Sequence, residues 1–576
     1  MNKKDVIQLL ETIALYLEIK GENSFKISAY RKAAKTLETD KRSLEEIDDL
    51  ETLKGIGKKT ASVISEFIET NESRLLVELE KEIPATLLQL LKIPGLGGKK
   101  IAKLYQELHI EDIVMLEEAC KNGLVQSLPG FGKKTEEKIL TAIEEIKYRP
   151  ERLPIAYMLK VADIVEKTLR AIPEIILYSR GGSLRRMEET IKDVDFILAT
   201  EQPSRVREQL LMMPNIKEVI ANGDTKVSVT LHFEYDVNVD FRLVSKEEYP
   251  TTLHHFTGSK EHNVRMRQLA KARGEKISEY GVTVQETDEV ITFSSEEAFY
   301  QHFDLYYIPP ACRQGTDEIE RFQKNSSYLT QNDIKSDLHM HTTWSDGAHS
   351  ISEMAEACRK KGYQYMVITD HSQFLKVADG LTEEEVRQQQ KEIKEINAQM
   401  NDFHIFSGIE MDILPDGSLD FSDETLAQLD FVIASIHSSF NQTKEQIKKR
   451  LQRALYNPYV SMIAHPTGRL LGRREGYQVD VDWLINVAKE TNTILECNAN
   501  PHRLDLSSEW LQKAKQQGVP VALNTDSHYI AMLEDMKYGI ALANRAGLQT
   551  EHIVNTWEKE KFVQFVQKKR RLAKEE

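Results

Sequence analysis

The chain has 576 residues, 40% hydrophobic and 29% charged, and carries a formal net charge of −15. That length predicts several domains, and the balance fits a soluble globular protein with no apolar run long enough to span a bilayer. The acidic excess argues against indiscriminate nucleic-acid binding, yet it leaves room for local basic surfaces and for acids gathered around metal ions. The opening Met1-Asn2-Lys3-Lys4-Asp5-Val6 runs into an amphipathic helix and does not read as a secretory signal. Four scattered cysteines, Cys120, Cys312, Cys358 and Cys497, suit a reducing compartment, so a cytoplasmic protein is expected.

Residues 4–146 read as mostly helical, with Val6, Leu9, Leu10, Ile13, Tyr16 and Leu17 at helical spacing. One pattern occurs three times here: Leu53-Lys54-Gly55-Ile56-Gly57-Lys58-Lys59-Thr60, Ile93-Pro94-Gly95-Leu96-Gly97-Gly98-Lys99-Lys100 and Leu128-Pro129-Gly130-Phe131-Gly132-Lys133-Lys134-Thr135. Each is a Gly-apolar-Gly turn between helical stretches, followed by paired lysines. Glycines let the backbone approach a phosphate, and the next helix start with its lysines supplies positive potential. This is the helix-hairpin-helix motif, which grips nucleic-acid backbones without reading bases. A single copy would be a mere helix corner; one of the three serves as packing in the alternative reading.

Residues 150–308 mix helix and strand, with strands expected at 175–178, 193–198, 227–233 and 235–244. The turn Gly181-Gly182-Ser183 leads toward a helix with Arg185 and Arg186 near its start, a cradle for phosphate oxygens. Asp193 and Asp195 follow on a strand that includes Ile191 and Val194; two residues apart, they point to one side. Asp240 interrupts an apolar strand and is either a third metal-binding carboxylate or the partner of Arg242 or Arg186. Carboxylates beside a phosphate cradle are the parts of a two-metal phosphoryl-transfer site; the alternative is an edge strand with solvated acids. The turn His255-Phe256-Thr257-Gly258-Ser259 and a helix with Asn263, Arg265, Arg267 and Lys271 come next.

Gly-Ser-x9-Asp-x-Asp, the later strand aspartate, the Phe-Thr-Gly-Ser turn and the hairpins together resemble the family X DNA polymerases, the DNA polymerase beta group, over residues 1–315. The resemblance implies an α+β nucleotidyltransferase palm and thumb. It also implies Mg²⁺ or Mn²⁺ held by Asp193, Asp195 and Asp240, with Asp240 on the catalytic ion. Gly182, Ser183, Arg186, His255, Gly258, Asn263 and Arg267 match nucleotide-binding positions. Lys26, Tyr30 and Lys59 match a pocket for a downstream 5′-phosphate, and Gly55, Gly57, Gly95, Gly97, Gly130 and Gly132 match the backbone-gripping turns. Two departures stand out. His255 replaces the usual tyrosine beside the incoming sugar, and Val63 stands where relatives carry the Schiff-base lysine, so 5′-deoxyribose phosphate lyase chemistry is expected to be weak or absent.

Residues 312–332, with Gly315, Ser326 and Ser327, read as a polar linker. Beyond it, apolar strands alternate with helical stretches, and metal-binding residue types sit where strands end: His339 and His341, Asp346, His371, Glu410, His437, His465, Asp526 and His528. A barrel with its active residues at the strand C-termini predicts this placement. Nine mixed imidazole and carboxylate donors are too many for one ion and suit Mn²⁺, Zn²⁺ or Fe²⁺ in a multinuclear hydrolytic site. The pattern resembles the PHP (polymerase and histidinol phosphatase) domain, a distorted TIM-like α/β barrel, although Asp346 falls at a position that varies between His and Asp. Asn498, Asn500 and Arg503 read either as phosphate contacts or as loop packing, and Cys497 as core.

The expected architecture is therefore multidomain: helix-hairpin-helix regions at 1–80 and 81–150, a palm at 151–245, a thumb at 246–311, the linker, and a PHP region at 333–576. The pairing of the two halves resembles the bacterial family X DNA polymerases. That implies gap filling in base excision repair on gapped DNA with deoxynucleoside triphosphates, and a metal-dependent 3′→5′ exonuclease in the PHP region. Abasic-site cleavage and trimming of blocked 3′ ends are also implied. A monomer is expected, with a DNA ligase acting downstream. The competing readings are an active polymerase with a structural or regulatory PHP region, and a DNA-end binding scaffold.

Overall fold

The computed structural model describes residues 3–39, 47, 49–70, 73–93, 95–148, 151–324 and 327–575. Pro94 of the second hairpin and Ser326 of the expected linker lie outside them. The described residues form two compact units, Met1–Glu151 and Arg152–Glu576.

The first unit is helical. Its core gathers Val6, Leu10, Ile13 and Leu17 from the Lys3–Lys20 helix with Leu37, Ile64, Leu90, Ile101 and Ile143. The three repeated patterns fold into the same turn. The first glycine of each has a left-handed backbone, with φ of 116° at Gly55, 85° at Gly95 and 92° at Gly130. The residue after it donates to the carbonyl three back, Ile56 to Leu53 (3.0 Å), Leu96 to Ile93 (3.1 Å) and Phe131 to Leu128 (2.9 Å). That residue is buried each time, and a helix starts directly after the second glycine, at Lys58, Gly98 and Lys133. Gly98 stands where the other copies carry lysine because a Cβ there would lie 2.0 Å from Glu18 Oε2.

The second unit begins with a five-stranded mixed sheet in the order Leu177–Arg180, Val194–Ala199, Asp236–Val244, Lys226–His232, Ile216–Asn222. Four of these strands match the expected ones within a few residues. The fifth, Ile216–Asn222, was not expected; it is an edge strand whose mostly exposed residues lack the alternation that marks a half-buried strand. Ile191 does not extend the aspartate strand: Thr190–Ile191 pairs separately with Leu153–Pro154. The helix after the glycine turn is a single turn, Gly182–Arg185.

Next comes a small helical and three-stranded region with its own core, Met266, Ile277, Phe299, Phe303 and Phe322 among it. The expected linker belongs to that core. It carries the helix Glu318–Lys324, whose Ile319 and Phe322 are buried, and Arg313 is fully buried against Glu296 at 2.8 Å. Polar composition hid a segment fixed by a buried ion pair and by the hydrogen bond between Glu318 and His262 at 2.7 Å.

The remainder is a seven-stranded parallel sheet in sequential order from Ser336–Asp337 to Val521–Asn524. A parallel bridge between Met340 and Ser527 brings its first and last strands together, so the barrel is nearly closed. Alternation sorts the side chains: Tyr365, Val367, Phe431 and Ile433 fill the interior above Phe562, while Met366, Ile368, Val432 and Ala434 face the outer helices. Three of those helices open with reciprocal capping boxes, Ser350/Glu353, Thr382/Glu385 and Thr443/Gln446, which fix where each crossover starts. All four cysteines are buried and unpaired. Among the described residues, no helix is long and apolar enough to cross a membrane.

Candidate metal centres

The first centre lies on the mixed sheet. Val194–Ala199 and Asp236–Val244 run parallel, with Asp195 directly opposite Asp240. Alternation places Phe196 and Phe241 in the core, ring centroids 5.9 Å apart, and sends Asp195 and Asp240 to the other face. Asp193 sits just ahead of its strand. The glycine turn is pressed onto the same strand: the Gly181 N–H donates to the Asp195 carbonyl at 2.7 Å. Gly182 has a φ of 56°, and a Cβ on it would lie 2.1 Å from Asp195 Oδ2, so only glycine fits.

Burial, then the neighbouring Asp240 and Asp193, push the Asp195 carboxyl up to about 7; burial also raises Asp193. Lys226 Nζ lies 2.7 Å from Asp240 Oδ2, and the charges of Lys192 and Arg242 also act on Asp193 and Asp195. Three neighbouring carboxylates whose repulsion these cations offset only in part are an all-oxygen donor set that suits a hard divalent cation.

Around them, Arg186 donates from Nη1 to the Thr257 carbonyl at 2.6 Å and lies 3.4 Å from Glu188. Arg185 is bound instead to Glu296 (2.5 Å) and Thr257 Oγ1 (2.7 Å), which ties the sheet to the helical region. Ser183 is half-buried in the one-turn helix, and Gly258 places its Cα side toward Arg186, where a Cβ would come within 3.4 Å of Nη1. Asn263 Nδ2 donates to the His255 carbonyl at 2.8 Å, while its buried Oδ1 has no partner. Burial lowers the His255 imidazole. Arg267 is exposed on the same helix. In the helical unit, Lys59 and Lys26 are exposed, Lys26 pairing with Glu22 at 3.1 Å, whereas Tyr30 is buried. Val63 packs against the core.

The second centre closes the C-terminal mouth of the barrel, and all nine expected donors meet there. Glu410 is its hub: its carboxylate lies 3.3 Å from His339 Nε2, 3.5 Å from His341 Nε2, 3.0 Å from His371 Nδ1, 3.3 Å from His437 Nε2 and 2.9 Å from His465 Nε2. Asp526 approaches His341 Nε2 at 3.1 Å and His339 Nε2 at 3.4 Å, and Asp346 approaches His528 Nε2 at 3.4 Å and His371 Nε2 at 3.7 Å. Three groups have donor atoms within 4.8 Å of one another: His341, Asp346, His371 and His528; His339, His341 and Asp526; His371, Glu410 and His437. Nitrogen atoms of His339, His341, His371 and His465 are buried without a hydrogen-bond partner, which is the state of imidazoles presented to a cation.

Burial would raise Glu410, but His437, His339 and His371 hold it well below the carboxylate range. Burial would lower His437, yet Glu410 and Asp412 lift it to about 10; Asp346 and Asp526 similarly lift His528 to about 9. His341 is pushed down to about 3 by burial and the adjacent His371 and His528.

Several supporting groups were not expected. Glu496, fully buried, accepts from His339 Nδ1 (2.8 Å), the His465 N–H (2.6 Å) and Asn524 Nδ2 (2.9 Å), fixing which His339 nitrogen faces the centre. It is an acid inside an apolar strand, the same signal that marked Asp240. Asp412 lies 3.2 Å from His437 Nδ1, and its two-residue spacing from Glu410 repeats the His339–His341 pattern. No sequence signal marked Lys226. Asn498 Nδ2 donates to Asp526 at 3.1 Å and Arg503 lies 3.4 Å from the same carboxylate, whereas Asn500 accepts from the His502 N–H and organises its own loop.

Comparison with known proteins agrees with this layout. Residues 1–73 match a helix-hairpin-helix domain, 87–145 a SAM-like helix-hairpin-helix tandem, 252–314 the DNA polymerase beta thumb and 337–500 the PHP domain. Probable phosphatases from Thermoanaerobacter sp. (strain X514) and Acetivibrio thermocellus are 28% and 29% identical to 42% and 41% of this chain, over 98% and 95% of their own lengths. The DNA polymerase/3′-5′ exonuclease PolX of Bacillus subtilis is 59% identical over 555 residues, covering 96% of this chain and 97% of its own. With that identity along nearly its whole length, the chain belongs to the PolX family, bacterial family X DNA polymerases that join a polymerase-beta-like region to a PHP domain.

Proposed function

We propose that the chain is a template-directed DNA polymerase that fills short gaps, as in base excision repair, and that its PHP region is a metal-dependent 3′→5′ exonuclease. The observation that carries the first half is Asp195 in register with Asp240 while the Gly181–Gly182 turn rests on the same strand. The second half is supported by the five imidazoles gathered around Glu410.

In nucleotide addition, Asp193, Asp195 and Asp240 would hold Mg²⁺ or Mn²⁺; His339, His341, Asp346, His371, Glu410, His437, His465, Asp526 and His528 would hold Mn²⁺, Zn²⁺ or Fe²⁺. Bound there, such ions align the reacting oxygens and stabilise charge on the phosphoryl group. Ser183, Arg186 and the turn's backbone N–H groups take the triphosphate. Asn263 has its nitrogen committed to His255, so it offers its unpartnered Oδ1 to the nascent pair. Imidazoles ligate in their neutral form, so metal affinity at the PHP centre would rise with pH. Arg503, beside Asp526, is placed to steady the scissile phosphate.

The hairpins at Gly55–Gly57, Gly95–Gly97 and Gly130–Gly132 hold the DNA backbone, and Lys26, Tyr30 and Lys59 receive the downstream 5′-phosphate. Val63 packs against the core and an apolar side chain forms no imine, so lyase chemistry is expected to be weak or absent unless another lysine substitutes. Cleavage at abasic sites and trimming of blocked 3′ ends would use the same PHP centre. The protein would act as a cytoplasmic monomer and leave nicks for a DNA ligase.

A 5′-phosphorylated one-nucleotide-gap duplex tests both activities: primer extension with nucleotides and 3′ shortening without them. Asp193→Ala with Asp195→Ala should abolish only extension, and His339→Ala with His341→Ala only shortening. Loss of both activities in either variant, or shortening that survives the histidine changes, would refute the assignment of two separate sites.

A further inference from the structure

The segment that follows the glycine turn is held from the far end of the chain. After Arg185 the backbone reverses at Met187, a non-glycine residue with a φ of 57°, and continues through Glu188 and Glu189. A left-handed conformation in a side-chain-bearing residue persists only where its surroundings fix it. Here the Met187 N–H donates to the Leu184 carbonyl (3.1 Å) and the Glu188 N–H to the Ser183 carbonyl (3.0 Å), and one arginine of the PHP region holds the carbonyl side of the reversal. Arg545, the last residue of the Met536–Arg545 helix, donates from Nη2 to the carbonyls of Arg186 (2.5 Å) and Met187 (3.0 Å). Its Nη1 lies 3.4 Å from Glu188 Oε2. The other oxygen of Glu188 faces Arg186 Nε, also at 3.4 Å. Arg469 grips the next residue, Glu189, at 2.7 and 3.1 Å, but touches neither Glu188 nor Arg186.

The geometry points to Arg545 as a positioning residue of the nucleotide-addition site: from the PHP region it fixes the backbone of Arg186 and Met187 and, through Glu188, the guanidinium that receives the triphosphate. The inference rests on the reading of Arg186 as a triphosphate ligand. An arginine side chain has several rotatable bonds, and its use as a planar donor fork depends on being held in one orientation. Arg186 is only 16% exposed and has the Thr257 carbonyl and Glu188 as its restraints, so the groups that set Glu188 also set Arg186; these are Arg545 and, on the oxygen facing Arg186, Gln314 Nε2 at 3.5 Å. Arg545 is itself 10% exposed and makes a third backbone bond, to Ala311 at 3.4 Å, so it is a fixed point.

Single-nucleotide addition by the full-length protein tests this. Arg545→Ala should raise KM for the nucleotide about tenfold with kcat changed less than about twofold, because the lost order affects binding of the tail before chemistry. Arg545→Lys keeps the charge but cannot span both carbonyls and Glu188, and should fall between; it also serves if the alanine variant is poorly folded. Arg469→Ala, an equal loss at the same face, should leave KM near wild type, and 3′ shortening should be unchanged in the Arg545 variants. Arg186→Ala should raise KM by itself, and adding Arg545→Ala to it should cost nothing more. If Arg186→Ala raises KM and Arg545→Ala does not, or if the two effects add in full, positioning through Glu188 is wrong while the triphosphate reading stands. If Arg186→Ala leaves KM unchanged, both fall.

Discussion

Gly182→Ala is the sharpest test of the nucleotide-addition centre, because one methyl group sets the geometry against itself. The new Cβ would sit 2.1 Å from Asp195 Oδ2 and 3.1 Å from its Cγ. Ordinary contact requires the carboxylate or the turn to retreat by more than about 1 Å, and displacements of that size cost roughly 10²-fold in rate when reacting groups are misplaced. The φ of 56° adds about 1–2 kcal/mol of backbone strain for a residue with a side chain. Gly181→Ala supplies the graded control: its Cβ would lie 3.2 Å from the Asp195 Cβ, and its φ of −122° is open to any residue. In steady-state gap filling, Gly182→Ala should lose about 100-fold or more in kcat/KM and Gly181→Ala about tenfold or less. The rate of 3′ shortening should be unchanged in both, and the melting temperature should fall by no more than a few degrees. A Gly182→Ala enzyme within about threefold of wild type, or a Gly181→Ala enzyme that is the worse of the two, would refute the reasoning.

Glu496→Gln removes the charged acceptor from His339 Nδ1 and should lower Mn²⁺ affinity or 3′ shortening about 10–100-fold while gap filling stays intact; metal titration of both activities decides it, and an unaltered metal dependence counts against the orienting role. Lys569 is buried, donating to the Leu455 carbonyl (2.9 Å) and Thr493 Oγ1 (2.6 Å), and burial pulls its ammonium down to about 7. Between that value and the ordinary value of about 10.4 the unfolded chain binds a proton that the folded chain lacks, so this group destabilises the fold fully below pH 7 and progressively less as pH rises. Urea unfolding of the wild type should therefore show stability rising from about pH 7 toward 10, and Lys569→Met should flatten that rise; an equal slope in both proteins would exclude this residue as its source. Replacing Lys58 and Lys59, or Lys133 and Lys134, by alanine should weaken binding to gapped duplexes of any sequence and reduce the salt dependence by about one unit per lost phosphate contact; a sequence-selective loss would contradict backbone recognition.

Much of both centres was legible because charged and metal-binding side chains stand out where an apolar strand should run. Asp240, interrupting Val237-Asn238-Val239-Asp240-Phe241, and the strand-end histidines from His339 to His528 carry that signal directly. Glu496 carries the same signal, but beside the polar Asn498, Asn500 and Arg503 a single acid in its strand does not stand out. What the sequence could not convey is pairing: nothing in it places Asp195 opposite Asp240 or lets Glu410 face five imidazoles from four other strand ends. Residues 312–332 misled for a related reason. Their polarity is real, but Arg313 is neutralised in the interior by Glu296 and Glu318 is hydrogen-bonded by His262, and partners distant in sequence leave no local mark. The edge strand Ile216–Asn222 lacked a buried face and so had no pattern to read.

The same long-range pairing bears on whether the two activities can be separated by cutting the chain. The sheet that carries Asp195 and the barrel share one continuous core, and Gly472 lies so close to Pro154 that a Cβ would come within 2.3 Å of its ring. Arg469 and Arg545 come from the barrel side, yet their carboxylate partners, Glu189 and Glu188, follow the phosphate-binding turn. Removing the PHP region would take Arg469 from Glu189, leave Glu188 with Arg186 and Gln314, uncover apolar surface around Leu153 and Ile155, and loosen the Met187 reversal next to Arg186. Point changes at His339 and His341 do none of this, because those side chains face the barrel mouth and the acids Glu410, Glu496 and Asp526. A truncated protein that extends primers poorly therefore says little about whether 3′ shortening assists gap filling, whereas the histidine variants, with the palm's supports intact, separate chemistry from architecture.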